Sequence, residues 1–217
     1  RGPWKLKKRP ILINNWEATY FDFNEDKLVA LAKKAKETGI ELLVLDDGWF
    51  GKRNNDECSL GDWIVNKDKL PNGLQGVADI CKKNGLKFGL WFEPEMISID
   101  SDLYRAHPDY AIALKGREHL HSRCQMVLDL SRKEVCDYVI KAMSDVIDNV
   151  DISYIKWDFN RNITETYSKQ LSHKYVLGLY YILETLTSKY PNIMIEGCSG
   201  GGGRFDPAML YYTPQIW

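Results

Sequence analysis

Residues 154–161 contain the side chains of this sequence that are best suited to chemistry. The segment begins as a short β-rich run and ends in charged and amide side chains. Lys156 and Asp158 are two residues apart, so on a strand both side chains point to the same face. Lone buried charges are costly, so a buried pair needs partners or a function. The spacing therefore indicates either a working site at a strand tip or a structural ion pair.

A second group of reactive side chains follows another apolar run. Asp46 and Asp47 come directly after it and precede Gly48, Trp49 and Phe50. Adjacent carboxylates can bind vicinal hydroxyls, and we expect the two aromatic rings to pack on the apolar face of a sugar. The alternative is a loop or capping pair at a β–α junction.

Two further segments carry candidates. Trp91 is interpreted as a stacking platform or as part of the core, and Glu93 and Glu95 as acids or supporting partners. Neither glutamate has a spacing that singles it out. Arg123 presents a planar fork that can clamp a carboxylate or hydroxyls, although a surface arginine is the alternative.

Residues 198–204 form a glycine-rich loop that begins at Cys198. Its four glycines, among them Gly201, let backbone N–H groups approach a ligand closely. A phosphate cradle is one interpretation, but the loop lacks both common phosphate-binding patterns. A flexible loop is another, and its place directly after a strand favours a ligand-facing loop.

Strand-like and helix-like segments alternate along the chain. The strand predictions are residues 11–16, 41–46, 87–92, 126–130, 152–158 and 193–196. Helices are predicted at residues 24–38, around 74–81, and around 175–186. A further helix is expected behind Ser131 and Glu134, which match the S-x-x-E capping box.

Apolar strands separated by helices predict a parallel sheet covered by helices. An open doubly wound sheet and a (β/α)8 TIM barrel both fit this alternation. Polar residues follow nearly every strand, which favours the barrel, whose site is a ring of strand-tip residues. A full barrel takes about 250 residues, so we expect an incomplete one with strands one to about six or seven. Residues 1–10 are predicted to be a linker from a preceding domain, and residues 11–217 a partial catalytic domain of a longer protein.

Composition excludes several classes of function. The chain has 217 residues, 29 basic and 30 acidic, so nothing indicates a nucleic-acid partner. No apolar run approaches the roughly 20 residues of a membrane helix. Five cysteines without a CxxC pair indicate free thiols and a cytoplasmic location. With four histidines, none at zinc-like spacing, we expect neither a metal nor a cofactor.

Four strand-end motifs occur together in chain order, at residues 46–50, 91–95, 156–158 and 198–204. As a set they closely resemble those of the α-galactosidases of glycoside hydrolase family 36. The resemblance covers about residues 4–217, nearly the whole chain. It implies a retaining enzyme that removes terminal, non-reducing α-galactose from melibiose- and raffinose-like oligosaccharides. It leaves open a homo-oligomer for the full-length protein.

The resemblance also implies individual roles. Asp158 matches the family's nucleophile, and Lys156 a neighbouring residue that binds galactose hydroxyls. The substrate-binding positions implied in the same way are Asp46, Asp47, Trp91, Arg123, Lys156, Asn160, Cys198 and Gly201. We expect the Lys156 cation, and also Arg123, to lower the pKa of Asp158.

In the family, the acid/base aspartate lies just past the strand begun by residues 215–217. We therefore expect the 217-residue chain alone to be weakly active or inactive. The alternatives are a galactosyltransferase of the same family, a non-catalytic sugar-binding partial barrel, and an unrelated phosphate-binding α/β protein.

Overall fold

A sheet of six parallel strands forms the framework of the computed structural model, which describes residues 2–120 and 122–217. Across the sheet the strands are β1 (Leu12–Asn14), β2 (Leu42–Leu45), β3 (Lys87–Phe92), β6 (Tyr154–Trp157), β7 (Met194–Gly197) and β8 (Gln215–Ile216). A separate antiparallel pair joins β4 (Met96–Ile97) to β5 (Met126–Val127).

Seven helices accompany the strands in the described residues. They are α1 (Trp16–Thr19), α2 (Glu25–Glu37), α3 (Gly73–Lys83), α4 (Asp102–Ala106), α5 (Lys133–Ile147), α6 (Leu171–Lys189) and α7 (Pro207–Tyr212). Short 3-10 turns lie at Gly2–Lys5 and Pro108–Tyr110. Within the two described ranges, no helix has the length and apolar content needed to cross a bilayer.

The two faces of the sheet bury different sets of side chains. In β2, Leu42 and Val44 belong to a small inner cluster with Tyr154 and Met194. The alternate residues of that strand, such as Leu43, belong to the large cluster under the helices. This alternation is that of a barrel wall, with one face inside and the other against helices. The predicted fold class, an incomplete (β/α)8 barrel, is confirmed.

Helix α2 begins and ends at the residues that its sequence indicates. The Asn24 side chain caps the N-terminus by accepting a hydrogen bond of 3.0 Å from the Lys27 amide. Gly39 follows the helix with φ +78°, a conformation that is strained for other residues. Local capping chemistry therefore sets both ends of this helix.

The prediction that residues 126–130 form a strand of the main sheet was wrong. Only Met126–Val127 is extended, and it pairs antiparallel with Met96–Ile97. Strand β6 follows β3 directly in the sheet, so Lys156 lies on the fourth strand and Gln215–Ile216 is the sixth. A short apolar run signals burial without naming its pairing partner. This run is buried beside the barrel instead of in its wall.

The predicted capping box at Ser131 and Glu134 was also wrong. Helix α5 begins at Lys133 with Arg132 as N-cap, and no side chain caps it. The Ser131 hydroxyl donates to Asp129 Oδ1 at 2.5 Å. Because the Ser131 hydroxyl is bonded to this carboxylate, it stabilises the preceding turn instead of capping the helix. The helix therefore starts later than its sequence pattern indicates.

Residues 2–10 lie against the end of the barrel. Trp4 is partly buried on the inner cluster, and Arg9 Nη2 donates to the Pro214 carbonyl at 3.1 Å. The segment therefore contacts the barrel through these two residues, while residues 5–8 are exposed. Whether it links to a preceding domain stays a prediction, and Arg1 lies outside the described residues.

Gly178 provides a stability test of the packing between α6 and the segment before α5. A Cβ atom at this position would lie 1.8 Å from the Leu130 carbonyl oxygen and 3.0 Å from Cys136 Sγ. Because backbone must move to accept it, we expect Gly178→Ala to lower the free energy of unfolding by about 3 kcal/mol. Urea denaturation measures the loss. The control is Leu177→Ala at a half-exposed neighbour, and a Gly178→Ala loss no larger than that of the control would contradict this packing.

Candidate active site

One cavity brings together the residue matched to the nucleophile and all of the substrate-binding positions that the family resemblance implies. Its volume is about 290 Å³, and it lies at the carboxyl ends of the parallel strands. The predicted residues that line it are Asp46, Asp47, Trp91, Arg123, Lys156, Asp158, Asn160, Cys198 and Gly201. Their placement together is a structural finding, whereas their individual roles remain predictions.

Strand alternation explains why these side chains share the inner face. Tyr154 points into the inner cluster, so Lys156 and Asp158 follow it on the same face. Lys156 pairs in register with Trp91 on β3 and with Glu196 on β7. Each neighbouring strand thus adds a residue to the same inner face of the sheet.

Hydrogen bonds from three donors orient the Asp158 carboxylate. Trp91 Nε1 and Asn160 Nδ2 donate to Oδ2 at 3.1 and 2.7 Å, and the Phe159 amide donates to Oδ1 at 2.9 Å. These three bonds hold Asp158 in one orientation at the cavity wall.

The Cys198 thiol neighbours Asp158. Its burial is the main reason that its pKa is raised to about 12, and the charge of Asp158 is the second.

Lys156 forms its ion pair with Asp46, a partner that the sequence analysis did not name. Its Nζ lies 2.8 Å from Asp46 Oδ2, and both side chains are buried. Burial lowers the pKa of Lys156, but attraction to Asp46 and their hydrogen bond outweigh it and raise that pKa overall. Asn14 also donates to Asp46 Oδ2, at 2.5 Å. The pair crosses the barrel between strands β2 and β6.

Asp47 has a different cation, which the sequence analysis missed. Arg53 Nε and Nη2 donate to its two oxygens at 2.6 and 2.8 Å, a bidentate arrangement. Burial raises the pKa of Asp47 in spite of this arginine. Arg53 lies in an irregular loop, where no periodicity links it to the carboxylate.

The aromatic residues after Asp47 do not face the cavity, contrary to expectation. Trp49 and Phe50 are both 0% exposed, and Trp49 Nε1 donates to the Trp91 carbonyl at 2.9 Å. The Trp91 ring stacks near Phe50 but presents its own N–H to Asp158. Trp91 is therefore part of the core and also lines the cavity, and its role as a stacking platform stays a prediction.

The cavity lining also includes residues that the sequence analysis did not select. They are Trp16, Glu17, Gly200 and Trp217. The Lys156 ammonium lies 4.4 Å from the centre of the Trp217 ring, within the range of a cation–π contact. Trp16 follows strand β1 as the other candidates follow theirs, so its strand-tip position was an available signal.

The glycine-rich loop is hydrogen-bonded to the two residues that follow Asp158. The Gly200 amide donates to Asn160 Oδ1 at 3.2 Å, and the Ser199 hydroxyl donates to the Phe159 carbonyl at 3.0 Å. The amides of Cys198, Ser199 and Gly203 are also bonded within the chain. These four N–H groups therefore already have acceptors and are not free to hold a phosphate.

Two buried glutamates support the site from behind. Glu95 accepts from Trp157 Nε1 at 2.8 Å and Tyr175 OH at 2.6 Å, and Arg204 Nη2 lies 2.7 Å from it. Glu93 accepts from Asn160 and also from Gln125. Neither lines the cavity. In the described ranges, no three His, Cys, Asp or Glu side chains are grouped to hold a metal ion.

Glu93 makes the stability of the fold depend on pH. Burial first, and then repulsion from Asp158, raises its pKa from an ordinary 4.5 to about 7. The folded state therefore holds a proton that the unfolded chain releases, so the stability contribution of Glu93 falls as the pH rises through this interval.

Glu93→Gln removes this titration. We expect its free energy of unfolding, relative to the wild type, to rise by up to about 3 kcal/mol between about pH 4.5 and pH 8. Urea denaturation across this range measures the difference. Glu57→Gln, at an exposed position, controls for the loss of one charge. A Glu93→Gln difference that stays constant with pH would contradict the prediction.

Comparisons with known proteins identify the family of this chain. A family model described as Melibiase matches residues 1–217. The chain is 56% identical to the α-galactosidase AgaA of Geobacillus stearothermophilus and 55% identical to Mel36A of Lactobacillus acidophilus. All of the chain is covered in both matches, but it spans 31% of the length of each relative.

Solved structures show the same fold. The crystal structure of AgaA matches with a TM-score of 0.98 at 56% identity, again over the whole chain and 31% of AgaA. An AgaA variant that matches equally well was solved in complex with raffinose, and another with stachyose matches with a TM-score of 0.97. An α-galactosidase from Thermus thermophilus, at 22% identity and a TM-score of 0.70, shares the fold over 88% of this chain and 38% of that one.

Proposed function

Because this chain belongs to the melibiase family, we propose that the protein containing it is an α-galactosidase. Its substrates are raffinose- and melibiose-type oligosaccharides, from which it removes terminal, non-reducing α-galactose. The observation that carries this proposal is the cavity in which Asp158 faces the Lys156–Asp46 pair. The complexes of AgaA variants with raffinose and stachyose support the substrate class.

We assign a double displacement with retention of configuration to this site. Asp158 attacks the anomeric carbon, its oxygen bonds to that carbon, and the glycosidic C–O bond breaks as the leaving oxygen takes a proton from the general acid. Water then gives a proton to that same group, displaces Asp158 and releases galactose. The bonds from Trp91, Asn160 and Phe159 aim the carboxylate before the attack.

The remaining polar side chains bind the sugar. The Lys156–Asp46 pair and Asp47 present a cation and two carboxylates to hydroxyl groups, while Arg123, Asn160 and Cys198 complete the wall. Carboxylates and cations that are already paired can accept and donate hydrogen bonds without first being oriented.

The mechanism needs a second carboxyl about 5–5.5 Å from the nucleophile as acid and then base. Asp46 and Asp47 are held by Lys156 and Arg53, and neither is assigned this role. We propose that the acid/base aspartate follows β8, as the family resemblance implies. We also place the protein in the cytoplasm, because all five cysteines are free thiols.

Hydrolysis of p-nitrophenyl α-galactoside and of raffinose by the full-length gene product tests the function. We expect cleavage of both, and no cleavage of the β-galactoside. Proton NMR of the first product should show α-galactose, which then mutarotates. First-formed β-galactose would refute retention, and the absence of both galactoside cleavage and galactose binding would refute the proposed function.

A further inference from the structure

Two residues that we propose to contact the sugar, Arg123 and Asn160, lie on loops outside regular secondary structure. Arg123 and its neighbour Cys124 both adopt left-handed backbone conformations, with φ of +55° and +56°. Such conformations are strained in residues other than glycine and persist only where the surroundings hold them. Asn160 lies in an irregular segment after β6. Both positions therefore need support from elsewhere in the molecule.

Glu93 connects the two loops. Its Oε1 atom accepts from Gln125 Nε2 at 2.8 Å and from the Asn160 amide at 2.5 Å. Gln125 comes two residues after Arg123 and is 2% exposed, and Glu93 is 1% exposed. One buried oxygen thus joins the Arg123 loop to the Asn160 segment.

The connection continues to the reacting group. Asn160 Nδ2 donates to Asp158 Oδ2 at 2.7 Å, and Asn160 Oδ1 accepts from the Gly200 amide at 3.2 Å. A shift of the Asn160 backbone would therefore move a donor on Asp158 and a contact of the glycine-rich loop. Misplacement of about 1 Å at such a site can cost about 100-fold in rate.

We propose that Glu93 is a positioning residue that sets Arg123 and Asn160 against the galactose ring, and through Asn160 orients Asp158. This inference rests on the proposed function, since it names what holds that sugar site. Glu93 acts through other residues and does not itself line the cavity.

The chemistry of Glu93 fits this role better than a purely structural one. Its neighbour Glu95, also buried, is neutralised by Arg204. Glu93 instead receives hydrogen bonds from a neutral amide side chain and a neutral backbone amide. Burial, and then repulsion from Asp158, raises the pKa of Glu93 to about 7, and the fold nevertheless places this ionisable group at the point where two loops meet.

Four variants of the full-length gene product, with one control, test the proposal. Glu93→Ala removes the acceptor for both loops, so we expect the inhibition constant of galactose and the KM for p-nitrophenyl α-galactoside to rise at least about tenfold. The kcat should also fall, because Asn160 no longer aligns Asp158. Glu93→Gln keeps an oxygen that can accept both bonds, so both constants should stay within about threefold of the wild type.

Gln125→Ala separates the two connections. It releases only the Arg123 side, so we expect weaker galactose binding with a smaller change in kcat than in Glu93→Ala. In the double variant Glu93→Ala/Gln125→Ala the losses should not add, because both changes break the same connection. Asp129→Asn is the matched control: Asp129 is buried and bonded by Ser131 and Tyr167, and it does not line the cavity.

Particular outcomes would overturn the proposal. One is a folded Glu93→Ala whose melting temperature falls but whose galactose affinity and KM match those of Asp129→Asn. Another is a Glu93→Gln variant as impaired as Glu93→Ala, since the negative charge and not the two accepted bonds would then matter. If Glu93→Ala does not fold, an unchanged galactose affinity in Gln125→Ala would overturn the proposal.

These outcomes differ from failure of the proposed function. If the wild type neither cleaves α-galactosides nor binds galactose, the function is wrong and the role of Glu93 falls with it. If the wild type is active and the Glu93 and Gln125 variants behave like the control, only the positioning role is wrong.

Discussion

Asp158→Asn in the full-length gene product is expected to lower kcat for α-galactosides by at least about 10⁴-fold. The amide has nearly the same shape but cannot form the covalent bond to the anomeric carbon. The amide NH2 group replaces one of the two carboxylate oxygens, both of which accept hydrogen bonds in the wild type. It would then face a hydrogen-bond donor, either the Phe159 amide or the Trp91 and Asn160 side chains. We therefore also expect a stability loss of about 1–3 kcal/mol, measured by urea denaturation.

Asp129→Asn is again the matched control, because it changes a buried, hydrogen-bonded aspartate outside the cavity. Its kcat should stay within about threefold of the wild type, well inside the effect expected at Asp158. Near-normal turnover by Asp158→Asn would remove Asp158 from the nucleophile's role.

Chemical rescue separates the loss of a nucleophile from general damage. In Asp158→Gly the space of the carboxylate is open to a small anion. With p-nitrophenyl α-galactoside, azide should attack the anomeric carbon as p-nitrophenolate leaves, giving β-galactosyl azide. Identification of this product by mass spectrometry and NMR would support the role, whereas rescue that yields only galactose would count against it.

Lys156→Met is expected to produce the second large effect, because it leaves the buried Asp46 carboxylate without its cation. Breaking a buried pair in this way costs about 3–5 kcal/mol of folding free energy. The value of kcat/KM for α-galactosides should also fall by about 10³-fold, since the sugar loses a charged hydrogen-bond donor. Urea denaturation and steady-state kinetics measure the two losses.

The double variant Lys156→Met/Asp46→Asn distinguishes these two losses. Removing the unpaired charge should recover about half or more of the stability, while activity stays low. Lys133→Met is the control for an exposed pair, since Lys133 lies 2.5 Å from Asp137 at the surface, where solvent screens the pair and its loss should change the stability little. A Lys156→Met protein as stable as Lys133→Met would show that the buried pair does not carry the expected energy.

Local pattern was sufficient to predict much of the fold. Strand β3 spans residues 87–92 as predicted, and α2 lies within the predicted residues 24–38. Period-two and period-3.6 patterns are consequences of backbone geometry, so they can be read without knowing any distant contact. The run at 126–130 was misassigned for the same reason, because burial in a strand pair beside the barrel leaves the same apolar signature.

The collection of site residues was likewise accessible from the sequence. Most lie at the end of a strand or just after one, and parallel strands bring their carboxyl ends to one edge, whereas the selection of Arg123 and Asn160 rested on the family resemblance. Trp49 and Phe50 were misjudged because an aromatic side chain after a strand is equally compatible with core and cavity, and here both are in the core.

By itself, the sequence determined the alternation of strands and helices, the barrel class, and the set of polar residues at the strand tips. Only the tertiary structure decided which charges pair: Lys156 with Asp46, which lies 110 residues away, and Asp47 with Arg53. It also placed Glu93 between two loops. The physical reason is that periodicity depends on the local backbone, whereas ion pairs depend on the distances that the curling sheet sets between remote strands.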